Sequence, residues 1–175
     1  IQMDPPMHGD FRQMVSRGFT PRALKKIHEP IERIGRELVE KLYDRGDEGE
    51  CDFVDEISAP LPIAVIGWLL GAPEEDWDML FDWTNRTLGA GDPEYQVEGE
   101  DAAATSQKAQ IELFQYFQKL VEDRRKNPQD DLITTFVQAE YEGRKLNDME
   151  VLSWCFIIVI AGNETTRNGT TGGML

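Results

Sequence analysis

The chain has 175 residues, of which 40% are hydrophobic and 29% charged, and it is long enough to bury a sizeable core. The formal net charge of -15 at pH 7 argues against nucleic acid or an anionic membrane as the main partner. The two cysteines, Cys51 and Cys155, lie far apart and no signal peptide is visible, so we expect no disulfide framework and a cytoplasmic location.

Helical signals follow one another along the chain and strand-like alternation is scarce, so we predict a mainly α fold. A short first helix contains His8 and Arg12. Thr20-Pro21 then supplies the cap and first-turn proline of a second helix that ends at Gly46. Pro30 is expected to kink or divide this second helix. Further helices are predicted at about 53–70, where Pro60 and Pro62 interrupt the apolar run, and at about 73–89, 103–126 and 130–140, with a loop at 89–101.

The last predicted helix is the most strongly specified. Asn147 is a good N-cap, and Glu150 completes the spacing of a capping box. Leu146 and Val151 flank this cap at the positions of a hydrophobic staple. The apolar run that follows ends at Ile160, too short for a membrane span of about 20 residues. We therefore predict a buried core helix.

A polar break, Ala161–Thr166, interrupts this helix. Helical periodicity places Ala161 and Thr165 on one face with Glu164 alongside. Ala161 and Gly162 have little side chain, which lets a flat ligand approach the backbone, and the Thr165 hydroxyl is placed to bond the carbonyl of Ala161. The spacing alone leaves two interpretations open: a surface that faces a ligand, or an ordinary amphipathic helix whose polar residues emerge into solvent.

His8 and Arg12 form a second candidate site because they lie four residues apart on one helix face. Together they can bind one carboxylate or phosphate, and a surface pair exposed to water is the alternative. The first 36 residues carry seven basic and four acidic side chains, whereas the rest of the chain is strongly acidic. This basic segment suits an acidic partner or the acid groups of a cofactor, unless it is simply a solvated face.

Three sets of residues, in order, resemble bacterial cytochrome P450 monooxygenases. Asp4–Arg12 with Phe19–Arg22 resembles the C-helix region of that family, Leu70–Asp76 matches its E-to-F connection, and Ala161–Thr166 is similar to its I-helix oxygen-activation motif. The resemblance spans essentially the whole chain. It implies a single incomplete domain over residues 1–175, with a partial cytochrome P450 fold from helix C to helix I. This fold would end before the family's Glu-x-x-Arg and heme-cysteine regions.

The resemblance implies heme b (iron protoporphyrin IX) as the cofactor. His8 and Arg12 would hold a heme propionate, which gives the anion-binding pair a ligand. Ala161 and Gly162 would let the last helix pass over the distal face of the heme and form the oxygen pocket. No side chain of this chain is expected to bind the iron, because the family's axial cysteine lies beyond residue 175 in family order.

Thr165 and Glu164 are the catalytic residues that the resemblance implies. A hydroxyl beside a carboxylate linked to solvent is suited to deliver the protons that oxygen activation consumes. The activity implied is hydroxylation of an apolar small molecule by the complete enzyme, the fragment alone being inactive. The motif from Asn163 to Asn168 resembles that of bacterial members that oxidise sterol side chains or branched lipids.

Other candidates for the family's landmarks do not match. Cys155 sits within the last helix and Cys51 lacks a glycine-rich loop, so neither is expected to be the axial ligand. Glu122–Arg125 fits Glu-x-x-Arg, but it precedes the oxygen motif, and we interpret it as a coincidence at the end of an exposed helix.

The resemblance also implies a ferredoxin-type electron donor with its reductase. Arg17, Arg22, Lys25 and Lys26 are expected to face this acidic partner. No nucleic-acid partner and no membrane span are expected. The alternative to the enzyme is a non-catalytic helical module that binds an apolar ligand or a partner helix.

Overall fold

Helices form most of the chain, as predicted. The computed structural model describes residues 4–5, 7–16, 19–44, 46 and 49–174. The helices are α1 (Met7–Ser16), α2 (Pro21–Tyr43), α3 (Pro60–Leu70), α4 (Trp77–Leu88), α5 (Ala102–Lys126), α6 (Leu132–Gln138) and α7 (Asp148–Gly172). Short helical turns lie at Val54–Ser58, Glu74–Asp76 and Pro93–Tyr95, and two strands, β1 (Glu140–Tyr141) and β2 (Arg144–Lys145), form a hairpin.

Helix α7 begins at the predicted capping box. The Glu150 amide donates to the Asn147 side chain at 3.0 Å, and the Asn147 amide donates to the Glu150 carboxylate at 2.8 Å. Both members of the predicted staple, Leu146 and Val151, are buried. These contacts satisfy amides that have no partner within the helix, and they fix where α7 starts.

The stretch 53–70, which was predicted as a helix with Pro60 and Pro62 interrupting its apolar run, forms two elements. Val54–Ser58 forms a π-helical turn, and α3 begins only at Pro60. A proline lacks an amide hydrogen, so Pro60 and Pro62 are tolerated in the first turn of a helix but not in its interior. The two prolines therefore set the boundary between the turn and α3.

Pro30 was expected to kink or divide α2, and the division is wrong, because one helix runs from Pro21 to Tyr43. Ile27 and Ile34 are buried on either side of the proline. Packing of both flanks holds the helix together although Pro30 donates no backbone hydrogen bond.

The hairpin after α6 was not predicted. Glu140 pairs with Lys145 and Tyr141 with Arg144 in antiparallel register, and both turn residues between the strands have positive φ, 50° at Glu142 and 78° at Gly143. Such a two-residue turn matches the twist of the strands it joins. The hairpin also anchors α1, because the rings of Phe11 and Tyr141 lie 5.0 Å apart.

The core surrounds α7. Its buried stripe consists of Val151, Leu152, Cys155 and Val159, and it packs with residues of α3, α5 and α6. Within the part of the chain that the structure describes, no helix is both long and apolar enough to span a bilayer.

A buried arginine joins three helices at one end of this core. Arg124 was predicted at an exposed helix end, but its side chain is only 7% exposed. Its Nε donates to Asp131 at 2.5 Å, and its Nη2 donates to the carbonyl of Gly71 at 2.9 Å. Because Asp131 also caps α6, one charged pair connects the end of α5, the start of α6 and the end of α3.

Two helical glycines make a matched test of the packing. A Cβ on Gly67 would overlap the indole ring of Trp77, whereas a Cβ on Gly35 would meet no atom within 4 Å. We expect Gly67→Ala to lower the free energy of unfolding by about 2 kcal/mol through overpacking. Gly35→Ala should raise it by about 0.5–1 kcal/mol, since alanine is the better helix former. Urea denaturation of the intact protein measures both, and equal effects of the two changes would contradict the packing of α3 against Trp77.

Candidate functional site

The polar break of α7 is divided between its outward face and its packed side. Ala161, Thr165 and Asn168 are exposed, whereas Val159 and Asn163 are fully buried. This is the grouping that the helical period predicts. The core therefore fixes the rotation of α7 so that the small residue Ala161 and the hydroxyl of Thr165 point away from the packed side.

The Thr165 hydroxyl makes the predicted bond to its own helix. Its Oγ1 donates to the carbonyl oxygen of Ala161 at 2.6 Å. This bond fixes the hydroxyl hydrogen against the helix and leaves the lone pairs of Oγ1 free to accept a hydrogen bond from a group on the exposed face.

Gly162 faces a neighbouring helix. A Cβ at this position would lie 2.9 Å from Cδ1 of Ile66 on α3. The missing side chain thus lets α7 approach α3 closely, while Ala161 supplies the small residue of the exposed face.

Glu164 lies at the border between the exposed face and a polar cavity of about 260 Å³. This cavity lies between α4, the segment that follows it and α7, and it is lined by Thr84, Asn85 and Arg167 among others. Arg167 Nη2 lies 3.9 Å from Glu164 Oε1. A carboxylate with access to a polar cavity can exchange protons with water in that cavity.

A groove between α1 and α7 is mainly apolar, in contrast to the polar cavity. It encloses about 390 Å³ and is lined by His8 and Phe11 of α1 and by Trp154 and Ile157 of α7, among others. Arg12 lies one turn after His8 and is exposed. The groove therefore combines apolar walls with donors for an anion at the α1 side.

These features fit a flat, largely apolar group that carries carboxylates, as heme does. Ile157 in the groove lies one helical turn before Ala161, so the groove and the exposed face of α7 form one continuous surface. His8 lines this surface, Arg12 lies one turn farther along α1, and Thr165 lies at the far end of the surface.

Cys155 lies on the inner stripe of α7. It is fully buried, and this burial raises the pKa of its thiol above the ordinary value. A neutral thiol in the core packs as a small apolar residue, which agrees with its exclusion as an iron ligand. Cys51 is exposed in the segment before the π-helical turn.

Four basic residues were predicted to face the electron donor, and the structure describes the side chains of two of them. Lys25 is exposed, and Lys26 pairs with Asp130 at 2.5 Å. Arg17 lies outside the described residues, and the side chain of Arg22 does as well.

Asn163 is a feature that was not singled out from the sequence. It is 0% exposed, and neither its Nδ2 nor its Oδ1 has a hydrogen-bond partner among the described residues. The sequence did contain a signal for it. Cys155, Val159 and Asn163 follow one another at intervals of four residues, so a polar residue continues a stripe of apolar ones on one helix face. A buried amide without partners costs free energy, so its presence in the motif needs a reason beyond stability.

The chain is similar to several known proteins. No family model matches the chain. The steroid C26-monooxygenase of Mycobacterium tuberculosis (strain ATCC 25618 / H37Rv) is 38% identical over 175 residues, which are 100% of this chain and 38% of that protein. The methyl-branched lipid omega-hydroxylase of the same organism is 36% identical over 100% of this chain and 40% of its own length.

A solved structure is also similar. A Mycobacterium marinum cytochrome P450 in complex with pseudoionone superposes with a TM-score of 0.84 and 34% identity, covering 94% of this chain and 39% of the other. The chain thus spans about two fifths of the length of the proteins it matches.

Replacing Asn163 tests whether its side-chain amide lacks hydrogen-bond partners. We expect Asn163→Leu to raise the free energy of unfolding of the intact protein by about 1 kcal/mol, because an apolar side chain of similar volume removes the cost of burying two unpaired groups. Asn168→Leu, on the exposed face of the same helix, should change it by less than about 0.5 kcal/mol. Thermal denaturation followed by circular dichroism measures both. A clear loss of stability in Asn163→Leu would show that the amide has a partner.

Proposed function

Because the chain belongs to the bacterial cytochrome P450 family, we propose that it is part of a heme-dependent monooxygenase that hydroxylates an apolar small molecule. Residues 1–175 would be part of one domain of that enzyme. The observation that carries the proposal is the outward face of α7, where the Thr165 hydroxyl bonds the Ala161 carbonyl and Glu164 is the preceding residue of the helix.

The residues of the groove would hold heme b, the cofactor of this family. When bound, heme supplies oxygen activation and insertion of oxygen into a C–H bond. His8 and Arg12 would donate to a propionate, Arg12 through its planar fork. Ala161 would keep the contact surface of α7 flat, and Gly162 would hold α7 close to α3.

Thr165 and Glu164 would supply protons. Glu164 has its carboxylate at the polar cavity, and the neighbouring Thr165 has its hydroxyl on the face that would meet the cofactor. A proton taken up by Glu164 would pass through water to Thr165 Oγ1, while the hydroxyl turns from the Ala161 carbonyl and gives its own proton onward. The bond to Ala161 keeps the hydroxyl in place between these transfers.

The substrate that we propose is a sterol side chain or a branched lipid. Two relatives of this chain are named as a steroid C26-monooxygenase and a methyl-branched lipid omega-hydroxylase. Trp154 and Ile157 in the groove are half-buried, so apolar surface remains available beside the proposed cofactor position. The electron donor would be a ferredoxin with its reductase, bound near the basic side chains Lys25 and Lys26.

Replacing Thr165 tests the proton route. We expect Thr165→Ala in the intact enzyme to consume reductant and oxygen but to release hydrogen peroxide in place of product, because protons no longer arrive in time. Product formed per reductant should fall by at least about 10-fold. The matched control is Thr166→Ala, which changes the next residue of the exposed surface and should keep wild-type coupling. Full coupling in Thr165→Ala would remove this residue from the route.

Substrate titration tests the substrate class. Cholestenone and a methyl-branched fatty acid, added separately to the intact heme-loaded protein, should shift the heme absorption band, since an apolar ligand displaces water near the cofactor. A linear polar compound of equal size is the control and should give no shift. If neither lipid shifts the band, the substrate assignment is wrong. If the intact protein shows no carbon monoxide difference spectrum of a heme thiolate, the non-catalytic module is the better account.

A further inference from the structure

We propose that Arg167 is a positioning residue for Glu164, and that the polar cavity which both side chains line supplies water to this acid. The inference rests on the proposed function, because it concerns the acid that we place in proton delivery. It adds a residue outside the motif Ala161–Thr166 and a second helix, α4, to the site.

The cavity is built to hold water. It encloses about 260 Å³ between the end of α4, the segment 89–95 and α7. Thr84, Asn85 and Asp92 place hydroxyl, amide and carboxylate groups on its wall. A polar space of this size with several donors and acceptors can hold ordered water molecules. Glu164 lines this cavity and not the groove on the α1 side, so the α4 side is where a cavity can bring water to its carboxylate.

Arg167 is fixed within this cavity by a contact to α4. Its Nη1 donates to Oδ1 of Asn85 at 3.2 Å, and its side chain is 15% exposed. Because Asn85 belongs to α4, this hydrogen bond fixes the position of the Arg167 guanidinium relative to a second helix. Its other terminal nitrogen, Nη2, lies 3.9 Å from Glu164 Oε1.

Glu164 is less constrained than its partner. Its side chain is 40% exposed, and in the described part of the chain Arg167 is the cation within ion-pairing distance of its carboxylate. An ion pair this exposed contributes little to stability, so its main effect is on where the carboxylate lies. The attraction keeps Glu164 at the cavity, one residue away from the Thr165 hydroxyl on the outward face.

The chemistry of arginine suits this role. A guanidinium has several donors in a rigid fork, so Arg167 can bind Asn85 with one nitrogen and attract Glu164 with the other. It stays protonated and therefore does not compete with Glu164 for the transferred proton. A lysine has the charge but only a single nitrogen at the end of a flexible stem, so it can satisfy the two partners only in part.

The test replaces Arg167 in the intact heme-loaded enzyme. We expect Arg167→Met to lower product per reductant by roughly 3-fold, since an acid that is held less often at the cavity delivers protons more slowly, and to raise peroxide correspondingly. Arg167→Lys should restore part of the coupling. Asn85→Leu, which removes the anchor but keeps the arginine, should give an intermediate loss. The Kd for substrate and the Tm of each variant should stay at wild-type values.

Two further measurements separate positioning from a general structural effect. In a crystal structure of Arg167→Met, the Glu164 carboxylate should turn out of the cavity, while the Thr165 bond to Ala161 remains. The double change Arg167→Met with Glu164→Gln should lower coupling no further than Glu164→Gln alone, because both act through one group. Arg125→Met, a matched change of another arginine paired with an acid, should keep full coupling.

Wild-type coupling in both Arg167→Met and Asn85→Leu would overturn the inference, and so would losses that multiply in the double change. The proposed function is judged separately in the same assay. If Glu164→Gln and Thr165→Ala keep full coupling, the proton route itself is wrong. If those two lose coupling and the Arg167 variants do not, only the positioning role is wrong.

Discussion

The packing of the inner stripe of α7 against its neighbours is the constraint on which the site depends. Val151, Cys155 and Val159 are fully buried at helical spacing, and Gly162 lets the same helix lie close to Ile66 of α3. Once this side is packed, the rotation of α7 is determined. Ala161 and Thr165 must then point outward, so the geometry of the proposed active face follows from the core.

The surroundings of α7 differ from one side to the other, and this difference gives the site a direction. The α1 side offers an apolar groove with His8 on its wall and Arg12 nearby, and the α4 side offers a polar cavity with Arg167. Glu164 and Thr165 are consecutive residues at the border. Glu164 thus has a polar cavity on one side and the outward face of α7 on the other, an arrangement suited to passing protons between the two.

Hydrogen bonds between residues close in the sequence could be predicted, and contacts between distant segments could not. The capping box of Asn147 and Glu150 and the bond from Thr165 to Ala161 both involve residues three or four apart, so helical geometry alone predicts them. Arg124 was assigned to an exposed helix end because its partner groups, on Asp131 and Gly71, come together only in the folded chain. The pairing of Arg167 with Asn85, 82 residues earlier, was invisible for the same reason.

The boundaries that were predicted wrongly have equally physical causes. Within the stretch 53–70, which was predicted as one interrupted helix, the prolines at 60 and 62 show where α3 starts. At Pro30 the opposite holds, since burial of Ile27 and Ile34 outweighs the missing backbone donor. Whether a proline ends a helix thus depends on the packing of its flanks, which one sequence does not reveal.

The central claim is that the outward face of α7 meets the cofactor. A crystal structure of the intact heme-loaded protein tests it most directly, through the distance from the porphyrin to the side chains of α7. The account predicts that Ala161 lies in van der Waals contact with the porphyrin face and that Thr165 Oγ1 points to the space above the iron. A porphyrin that binds away from α7, or against any other face of this helix, would contradict it.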